Sequence, residues 1–294
     1  MDQADKVWLL GADSFTGHYL LQALKDANYE VDTTAVDITD AQQVEQAMLA
    51  IQPSYIINLA AISFVPDGDS ANIYAVNTIG VQHILDASLE LAIAPKKIIL
   101  VSSSTVYGQA GQEDITEDTL ASPVNHYGCS KWAMEQIANT YADQLNIVIT
   151  RPFNYTGQNQ EAKFLVPKIV QHFQQSAAII ELGNIDIWRD FSDVRWVANA
   201  YVQLLKTDKK NHSPVNLCSG KLTSIREIIS RLEQLTGHII DIKVNPDFVR
   251  ASDIKRQKGD NGRLYELLPT LDAPIDFEHT LQWMLESPQN DMAE

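Results

Sequence analysis

A tyrosine, a lysine and a run of serines stand at spacings that could support proton transfer beside a hydride transfer. Tyr127 and Lys131 are four residues apart, and Ser102-Ser103-Ser104 precedes them by about two dozen residues. On a helix, residues four apart share a face, so we expect the Lys131 ammonium beside the Tyr127 phenol. A nearby positive charge favours the phenolate, and we therefore expect the pKa of Tyr127 to lie below its ordinary value near 10. The pair alone is not specific, so its surroundings must support it.

Short apolar segments alternate with helical stretches through the first half of the chain. Apolar runs between polar breaks predict buried strands at 7–10, 55–61, 97–102 and 147–150. Helices are predicted between them, at about 17–28, 41–51, 70–91 and 126–145. This alternation predicts a parallel sheet with helices on both faces, which is a doubly wound α/β fold of the Rossmann type.

The rhythm changes to loops and polar segments after Asn154. A helix predicted at 194–205 and a strand at 215–217 return to the first layer. We therefore expect a dinucleotide-binding domain over 1–153, to which 191–219 return. The stretches 154–190 and 220–294 are expected to form a smaller, discontinuous α/β domain that binds the substrate.

The first strand is followed by a turn that could receive a nucleotide. Gly11 ends that strand and Gly17 lies in the first turn of the next helix, with Ser14 between them. The spacing approximates Gly-x-x-Gly-x-x-Gly with serine in the middle, and glycines there let a pyrophosphate approach the helix N-terminus. An ordinary strand–helix turn with a serine cap is the alternative. The residues expected to bind the cofactor at this edge of the sheet are Gly11, Ser14, Phe15, Thr16, Gly17, Leu59, Ala60 and Ala61.

The segment after the second strand bears on the choice of cofactor. No Lys or Arg occurs between Lys25 and Lys96, where a clamp for a ribose 2′-phosphate would be expected. Asp32 and Asp37 flank the end of the second strand, and Asp37 and Ile38 are expected to contact the cofactor. The missing cation favours NADH over NADPH without excluding either.

The bulk composition limits the classes of partner. The chain has 294 residues, of which 45% are hydrophobic, and a formal net charge of −16. This charge argues against nucleic acid and anionic membranes as partners, and a polyanionic substrate would need a local cluster of cations. No apolar run approaches the roughly 20 residues of a membrane span. The polar, acidic start of the chain and its two cysteines predict a cytoplasmic protein, and nothing in the sequence suggests a metal site.

Several sequence blocks resemble a known superfamily. The chain is similar over its whole length to the extended short-chain dehydrogenases/reductases of the NAD-dependent epimerase/dehydratase family. Within it the chain most resembles the GDP-4-dehydro-6-deoxy-D-mannose reductases, whose products are GDP-D-rhamnose or GDP-6-deoxy-D-talose. The blocks that carry the resemblance are 61–66 (AISFVP), 102–108 (SSSTVYG), 151–157 (RPFNYTG), 164–168 (FLVPK), 183–190 (GNIDIWRD) and 216–220 (NLCSG). Ser14 and the short region between the second and third strands depart from the pattern.

The resemblance implies roles for the three groups at which the chemistry would occur. Ser103 would donate to the substrate carbonyl oxygen and Tyr127 would protonate it as the general acid. Lys131 would bind the nicotinamide ribose and, with Tyr127, contact the cofactor. Position 105 is a glutamate in the similar dehydratases and a cysteine in the similar GDP-fucose synthases, where each moves a proton on carbon. Thr105 can do neither, so simple carbonyl reduction remains.

The resemblance also implies a substrate-binding set. Arg189 and Arg250 would grip the diphosphate or ribose, since an Arg fork suits phosphate oxygens, although a surface ion pair is the alternative for each. Phe64 could equally be a packing residue, and Ser104 a hydrogen bonder at the strand end. The expected contacts are Ser63, Phe64, Ser103, Ser104, Thr105, Asn154, Val166, Lys168, Arg189 and Arg250.

Three functions follow from these patterns. The first is NAD(P)H-dependent reduction of the 4-keto group of GDP-4-dehydro-6-deoxy-D-mannose. The second is a sugar-nucleotide 4-epimerase that retains NAD through each cycle. The third is a non-catalytic nucleotide sensor on the same fold, against which the intact Ser103, Tyr127 and Lys131 argue. The resemblance further implies a homodimer formed through the helices at 70–91 and 126–145.

Overall fold

The computed structural model describes residues 5–63, 70–110, 114–207, 213–248 and 255–287. Two residues of the expected substrate-binding set, Phe64 and Arg250, lie outside these ranges. Within them, no helix is long and apolar enough to cross a membrane.

The elements follow one another in an alternating pattern through the first half of the chain. The strands are β1 (Lys6–Leu10), β2 (Glu30–Asp32), β3 (Tyr55–Asn58), β4 (Lys97–Val101), β5 (Asp114–Ile115), β6 (Ile147–Pro152), β7 (Asn154–Thr156), β8 (Ile179–Leu182), β9 (Trp188–Asp193), β10 (Val215–Leu217), β11 (Leu222–Ser224), β12 (Asp241–Val244) and β13 (Arg256–Gly259). The helices are α1 (Phe15–Asp26), α2 (Ala41–Ile51), α3 (Ser70–Tyr74), α4 (Gly80–Leu89), α5 (His126–Asn139), α6 (Leu165–Gln174), α7 (Val194–Lys206), α8 (Ile225–Thr236), α9 (Gly262–Leu267) and α10 (Phe277–Leu285). A π-helical turn (Ala75–Ile79) joins α3 to α4, and 3₁₀ turns form at Ser104–Tyr107 and Pro246–Phe248.

A six-stranded parallel sheet forms the larger part, in the order β10-β6-β4-β3-β1-β2. Successive side chains of a strand point to opposite faces, which explains why the inner strands β1, β3, β4 and β6 are mostly apolar, whereas the edge strand β2 is not. Val7 and Leu9 pack beneath α1 and α7 on one face. Trp8 and Leu10 pack beneath α2, α4 and α5 on the other. The expected doubly wound α/β fold is confirmed.

The chain reverses its direction across the sheet between β1 and β3. From β1 it moves outward to β2 and then returns past β1 to β3, which pairs with β1 on its other side. In doubly wound sheets, ligands bind beyond the carboxyl ends of the strands at such a switch point. The turns after β1 and β3 contain the residues expected to bind a dinucleotide.

The smaller part contains a five-stranded mixed sheet and a two-stranded one. β11, β9, β13 and β5 pair in that order with β7 added to β9, and β12 pairs with β8. Helices α6, α8 and α10 share a separate core. Strand β5 comes from the stretch assigned to the first domain, so the structure departs from the predicted division there.

Two predicted helices differ in detail. The helix predicted at 126–145 ends at Asn139 and gives way to turns, where the Thr140 hydroxyl donates back to the carbonyl of Ile137. Such back-bonding competes with helix continuation. The helix predicted at 70–91 contains the π-helical turn, a feature that often marks functional positions.

Candidate active site

The turn after β1 has the close approaches that a dinucleotide-binding turn needs. Gly11 has a φ of +77°, and a Cβ there would lie 3.0 Å from the Ala60 nitrogen and 3.1 Å from the Leu59 carbonyl carbon. A Cβ on Gly17 would lie 2.3 Å from the Gly11 carbonyl oxygen. Glycine is therefore required at position 11 for its backbone conformation and at position 17 for the close packing of the helix on the strand end. These contacts bring Gly11 and Gly17 together with Leu59, Ala60 and the adjoining Ala61.

Ser14 replaces the middle glycine without disturbing the turn. It is the N-cap of α1: its hydroxyl donates to the Gly11 carbonyl at 2.7 Å and accepts from the Gly17 N–H at 3.0 Å. Phe15 and Thr16 occupy the first helical turn, where backbone N–H groups have no acceptor within the helix. The turn therefore keeps the anion-binding character of a helix N-terminus.

Asp37 and Ile38 lie in the loop that follows β2. The exposed Asp37 carboxylate accepts from the N–H and hydroxyl of Thr39, and these hydrogen bonds hold its pKa below the ordinary value. Ile38 is buried against Gly80 at the start of α4, and its carbonyl lies 2.9 Å from His83 Nδ1. Asp37 is thus exposed at the surface, while Ile38 belongs to the core.

The end of β4 forms the next wall of the site. Ser103 caps the 3₁₀ turn, and its hydroxyl accepts from the Thr105 N–H at 3.2 Å. Ser104 is buried, and its carbonyl accepts from Gln257 at 3.5 Å. The Thr105 hydroxyl is enclosed and has no hydrogen-bond partner among the residues that the structure describes. A ligand carrying a polar group could satisfy it.

Helix α5 places Tyr127 against this turn. Asn125 caps the helix by accepting from the Gly128 N–H at 2.8 Å. A Cβ on Gly128 would lie 2.9 Å from the Thr105 carbonyl oxygen, so the first helical turn packs directly on the 3₁₀ turn. The Ser103 hydroxyl is close enough to the Tyr127 phenol to lower the pKa of that group against the effect of burial. The structure therefore brings together the two groups expected to hold a carbonyl oxygen.

Lys131 lies one helical turn further on. Its ammonium donates to the Val101 carbonyl at 2.8 Å and lies 6.0 Å from the centre of the Tyr127 ring. The side-chain placement expected from the four-residue spacing is therefore present in the structure.

The expected pKa of Tyr127 is wrong for this structure. Burial, with a smaller contribution from Tyr155, raises the pKa of Tyr127 to about 12, and the Ser103 hydroxyl only partly opposes this. Burial also lowers the pKa of Lys131 to about 8, against the opposing effect of Glu135. Loss of hydration outweighs the opposing neighbour in each case, which is Ser103 at Tyr127 and the Glu135 carboxylate at Lys131. Tyr127 is therefore a protonated acid at neutral pH.

The π-helical turn supplies a residue that the sequence analysis missed. Asn77 is fully buried, accepts from the Ile62 N–H at 2.8 Å, and donates to the Ile62 carbonyl and to the Ser130 hydroxyl. Thr78 donates to the Ser130 carbonyl at 3.0 Å. These contacts tie the chain after β3 to the first turns of α5. The sequence could have indicated this, because Asn77 and Thr78 are adjacent polar residues within the helix predicted at 70–91.

A cavity of about 620 Å³ lies in the smaller part of the molecule. Its lining includes four of the expected substrate residues, Asn154, Val166, Lys168 and Arg189. Ser63, Ser103, Ser104, Thr105 and Tyr127 are not among the lining residues, so the structure does not join the two ends of the expected site into one cavity.

The cations of the cavity are held by their neighbours. Lys168 donates to the Glu181 carbonyl at 2.8 Å and lies 4.7 Å from the centre of the Phe248 ring. Arg189 donates to the Trp188 carbonyl at 2.9 Å. Asn154 donates to the Asp190 carbonyl, and Val166 lies on α6 and is buried in the core of the smaller part. With Lys163, which pairs with Glu161, two lysines and an arginine therefore line one concave surface in a protein of strongly negative net charge.

Tyr155 connects this cavity to the cofactor turn and was not singled out from the sequence. It lines the cavity, its hydroxyl lies 2.8 Å from the Thr16 hydroxyl, and its ring stacks on Phe15 at 6.3 Å. It is also near enough to Tyr127 to raise the pKa of that phenol. Tyr155 could have been found from its position in 151–157, one of the blocks that carry the family resemblance.

Asp190 and Asp193 hold the backbone of neighbouring elements. Asp190 accepts from the backbone of Ser219, Gly220 and Gly259, and burial raises its pKa. Asp193 caps α7. Neither carboxylate is placed for proton transfer at the site.

Comparison with known proteins identifies the family. The family model of GDP-mannose 4,6 dehydratase matches residues 9–280. The chain belongs to this family. It is 34% identical over 268 residues to the GDP-6-deoxy-D-talose 4-dehydrogenase of Aggregatibacter actinomycetemcomitans, covering 90% of this chain and 91% of that protein.

Two further similarities come from Pseudomonas aeruginosa. The chain is 29% identical over 225 residues to its GDP-6-deoxy-D-mannose reductase, covering 73% of each protein. The solved structure of RMD complexed with NADPH superposes with a TM-score of 0.86 at 25% identity, covering 96% of each chain. The expected superfamily is thus confirmed, and with it the class of enzyme, an NAD(P)-dependent oxidoreductase.

Proposed function

We propose that the protein reduces the 4-keto group of GDP-4-dehydro-6-deoxy-D-mannose to a GDP-6-deoxyhexose. The observation that carries this proposal is the packing of the first turn of α5 on the turn that holds Ser103 and Thr105, which places Tyr127 close to Ser103 with Lys131 beside its ring. This set can hold and protonate a carbonyl oxygen, and it has no group that removes a proton from carbon.

Tyr127 is the general acid of the proposed reaction. Its pKa of about 12 keeps the phenol protonated at neutral pH, so it can deliver a proton to an alkoxide as that charge develops. Ser103 donates to the same oxygen and holds the carbonyl against Tyr127. A bound reduced nicotinamide supplies the hydride.

The turn after β1 fits a dinucleotide. Gly11 and Gly17 leave the space that a Cβ would occupy, and Ser14 arranges the helix N-terminus without adding bulk above it. Gly11, Ser14, Phe15, Thr16 and Gly17 would hold the pyrophosphate, and Lys131 the nicotinamide ribose. Leu59, Ala60 and Ala61 would line the opposite wall of the crevice.

NADH is the proposed reductant. No Lys or Arg occurs between Lys25 and Lys96, and Asp32 and Asp37 put negative charge after β2. A ribose 2′-phosphate would meet repulsion there, whereas a free hydroxyl could donate to a carboxylate. We expect kcat/KM to be higher with NADH than with NADPH, in contrast to the NADPH complex of the P. aeruginosa structure.

The sugar nucleotide is proposed to bind across the 620 Å³ cavity. Arg189 and Lys168 would hold the diphosphate, and Asn154 would orient the adjoining groups. Ser63 and Thr105 would contact the hexose, with Phe64 and Arg250 completing the set. Tyr155 supports this placement, because it touches both the cavity and the cofactor turn.

One experiment tests the proposal directly. GDP-4-dehydro-6-deoxy-D-mannose is incubated with the protein and either NADH or NADPH, and the product is isolated and its C4 configuration assigned by NMR. We expect one reduced cofactor consumed for each GDP-D-rhamnose or GDP-6-deoxy-D-talose formed. Conversion with no net consumption of cofactor would contradict the proposal and favour a 4-epimerase.

The protein is further proposed to be a homodimer. Helix α5 packs beside the helical segment 70–89, and Ile79 on that segment is 43% exposed. Pairing of these helices between two copies would cover this surface. The mass measured by light scattering during gel filtration tests this assembly.

A further inference from the structure

A buried ion pair lies behind the catalytic residues. Arg151 on β6 grips Glu135 on α5 with two contacts, Nε to Oε1 at 3.0 Å and NH2 to Oε2 at 2.6 Å. The side chains are only 4% and 2% exposed. The guanidinium also lies 4.8 Å from the centre of the Tyr107 ring. Two charges removed from water in this way are weak evidence for stability, because desolvation offsets their attraction.

Glu135 also contacts the strand end that forms the site. It lies on the same face of α5 as Tyr127 and Lys131, at successive intervals of four residues. Its Oε1 accepts from the Ser102 hydroxyl at 2.5 Å.

Ser102 follows the end of β4 and lies between the two residues whose placement matters most. Val101 precedes it and accepts from the Lys131 ammonium, and Ser103 follows it. A hydrogen bond that holds Ser102 therefore fixes both the carbonyl that anchors Lys131 and the hydroxyl that meets Tyr127.

We propose that Glu135 is a positioning residue for the reduction. Held by Arg151, it binds Ser102 and so fixes the end of β4 against α5, with Ser103 and Lys131 at their places around Tyr127. This inference rests on the proposed function of the site. The ring of Tyr107 packs against the Arg151 guanidinium, and the Tyr107 hydroxyl donates to Asn216 on β10 at 2.6 Å.

The same geometry has an electrostatic consequence. The groups that face the Lys131 ammonium are Tyr127 and Glu135 from α5 and the Val101 carbonyl from β4. Arg151 lies behind Glu135 on β6, and Tyr155 lies beyond Tyr127. Glu135 raises the pKa of Lys131 against the effect of burial. Replacing the Glu135 carboxylate by the neutral amide of glutamine should therefore lower the pKa of Lys131.

Two variants and a control separate positioning from simple stability. Ser102→Ala removes the hydrogen bond between Ser102 and Glu135 and leaves the ion pair of Glu135 with Arg151 intact. Glu135→Gln keeps the size and removes the charge. Ser88→Ala is the control, because Ser88 is also fully buried and hydrogen-bonded, to the Ile84 carbonyl on α4, away from the site.

The variants are compared with the wild type in two measurements. Steady-state reduction gives kcat, KM and the pH profile, and NMR of ¹³Cε-labelled lysine follows the titration of Lys131, assigned by its loss in Lys131→Met. For Ser102→Ala we expect kcat to fall about tenfold or more with KM little changed, since small displacements of catalytic groups are costly. For Glu135→Gln we expect the Lys131 midpoint to fall by about one pH unit. Ser88→Ala should change neither quantity.

The proposal is overturned if Ser102→Ala retains the kcat of Ser88→Ala, or if Glu135→Gln leaves the Lys131 midpoint unchanged. Should Glu135→Gln not fold, Ser102→Ala decides alone. If the wild type reduces no sugar nucleotide, the proposed function fails, while the Lys131 titration still tests the link to Glu135.

Discussion

At the residue scale, the phenol of Tyr127 should carry most of the catalysis. Tyr127→Phe keeps the ring and removes the acid, so we expect turnover to fall on the order of 10²–10⁴-fold with the fold intact. Steady-state kinetics and circular dichroism check this. Tyr141→Phe is the matched control, because it removes a hydroxyl that donates to Asp86 at 2.5 Å on the outer surface. Equal turnover in the two variants would remove Tyr127 from the chemistry.

The depressed pKa of Lys131 predicts an alkaline limit. Lys131 is charged below pH 8 and loses its proton as the pH rises through about 8, whereas Tyr127 stays protonated throughout. We therefore expect kcat/KM for the reduced cofactor, which reports the free enzyme, to be flat below this limit and to fall above it. The Lys131→Met enzyme should be slow at every pH, and its kcat/KM should not fall on the alkaline side. The same alkaline fall in that variant would assign the titration to another group.

Arg189 is expected to act on the diphosphate. Arg189→Ala should raise KM for the sugar nucleotide about 10-fold or more and leave kcat nearly unchanged, since charge-assisted contacts present in both ground and transition states are lost. The control is Arg226→Ala, an exposed arginine paired with Asp186 at 2.9 Å. An unaltered KM in Arg189→Ala would exclude Arg189 from binding.

The sequence predicts which residues are brought together better than it predicts their ionisation. Tyr127, Lys131 and Ser103 follow from helical spacing and from a strand end, which are local properties. The pKa of Tyr127 depends on how much water the whole fold excludes, and the sign of its shift could not be read from a neighbouring lysine. Tyr155 and Asn77 were missed because their partners, Thr16 and Ser130, are distant in sequence.

At the element scale, we expect the junction between β9 and α7 to contribute strongly to the free energy of unfolding. The buried Asp193 carboxylate caps α7 through the Arg195 N–H, pairs with the Arg195 guanidinium, and accepts from Thr280 on α10. We expect Asp193→Ala to lower the free energy of unfolding by about 2–4 kcal/mol, measured by urea denaturation.

The N-cap of α10 provides the comparison. Asp276 caps that helix through the Glu278 N–H, but its side chain is 51% exposed. Asp276→Ala should cost only about 0.5–1 kcal/mol. Equal losses in the two variants would mean that the contacts of Asp193 beyond the cap contribute nothing.

Strands buried on both faces were predicted better than elements with a mixed environment. β1, β3, β4 and β6 are apolar because both faces of the sheet are covered. The end of α5 was placed six residues too late, because Tyr141 and Leu145 continue the apolar spacing in turns. Strand β5 is two residues long and exists only through its pairing with β13, which no local pattern shows.

At the scale of the whole molecule, the proposed site draws on two parts of different construction. The parallel sheet presents the turn after β1 and the proposed catalytic residues at its carboxyl edge, and the smaller part gathers Lys168 and Arg189 around the cavity. A net charge of −16 makes this local concentration of cations necessary for a diphosphate. The sequence predicted the first part in detail, whereas the mixed sheet of the second arises from pairings across long separations.

The most direct test of the account follows the hydride itself. NADH carrying deuterium at C4 of the dihydronicotinamide, on either face in turn, is supplied with GDP-4-dehydro-6-deoxy-D-mannose, and the product is analysed by NMR and mass spectrometry. The account predicts that one of the two labelled forms places a single deuterium on C4 of the hexose, with one cofactor oxidised per product. Product without deuterium from both forms, or no product at all, would contradict it.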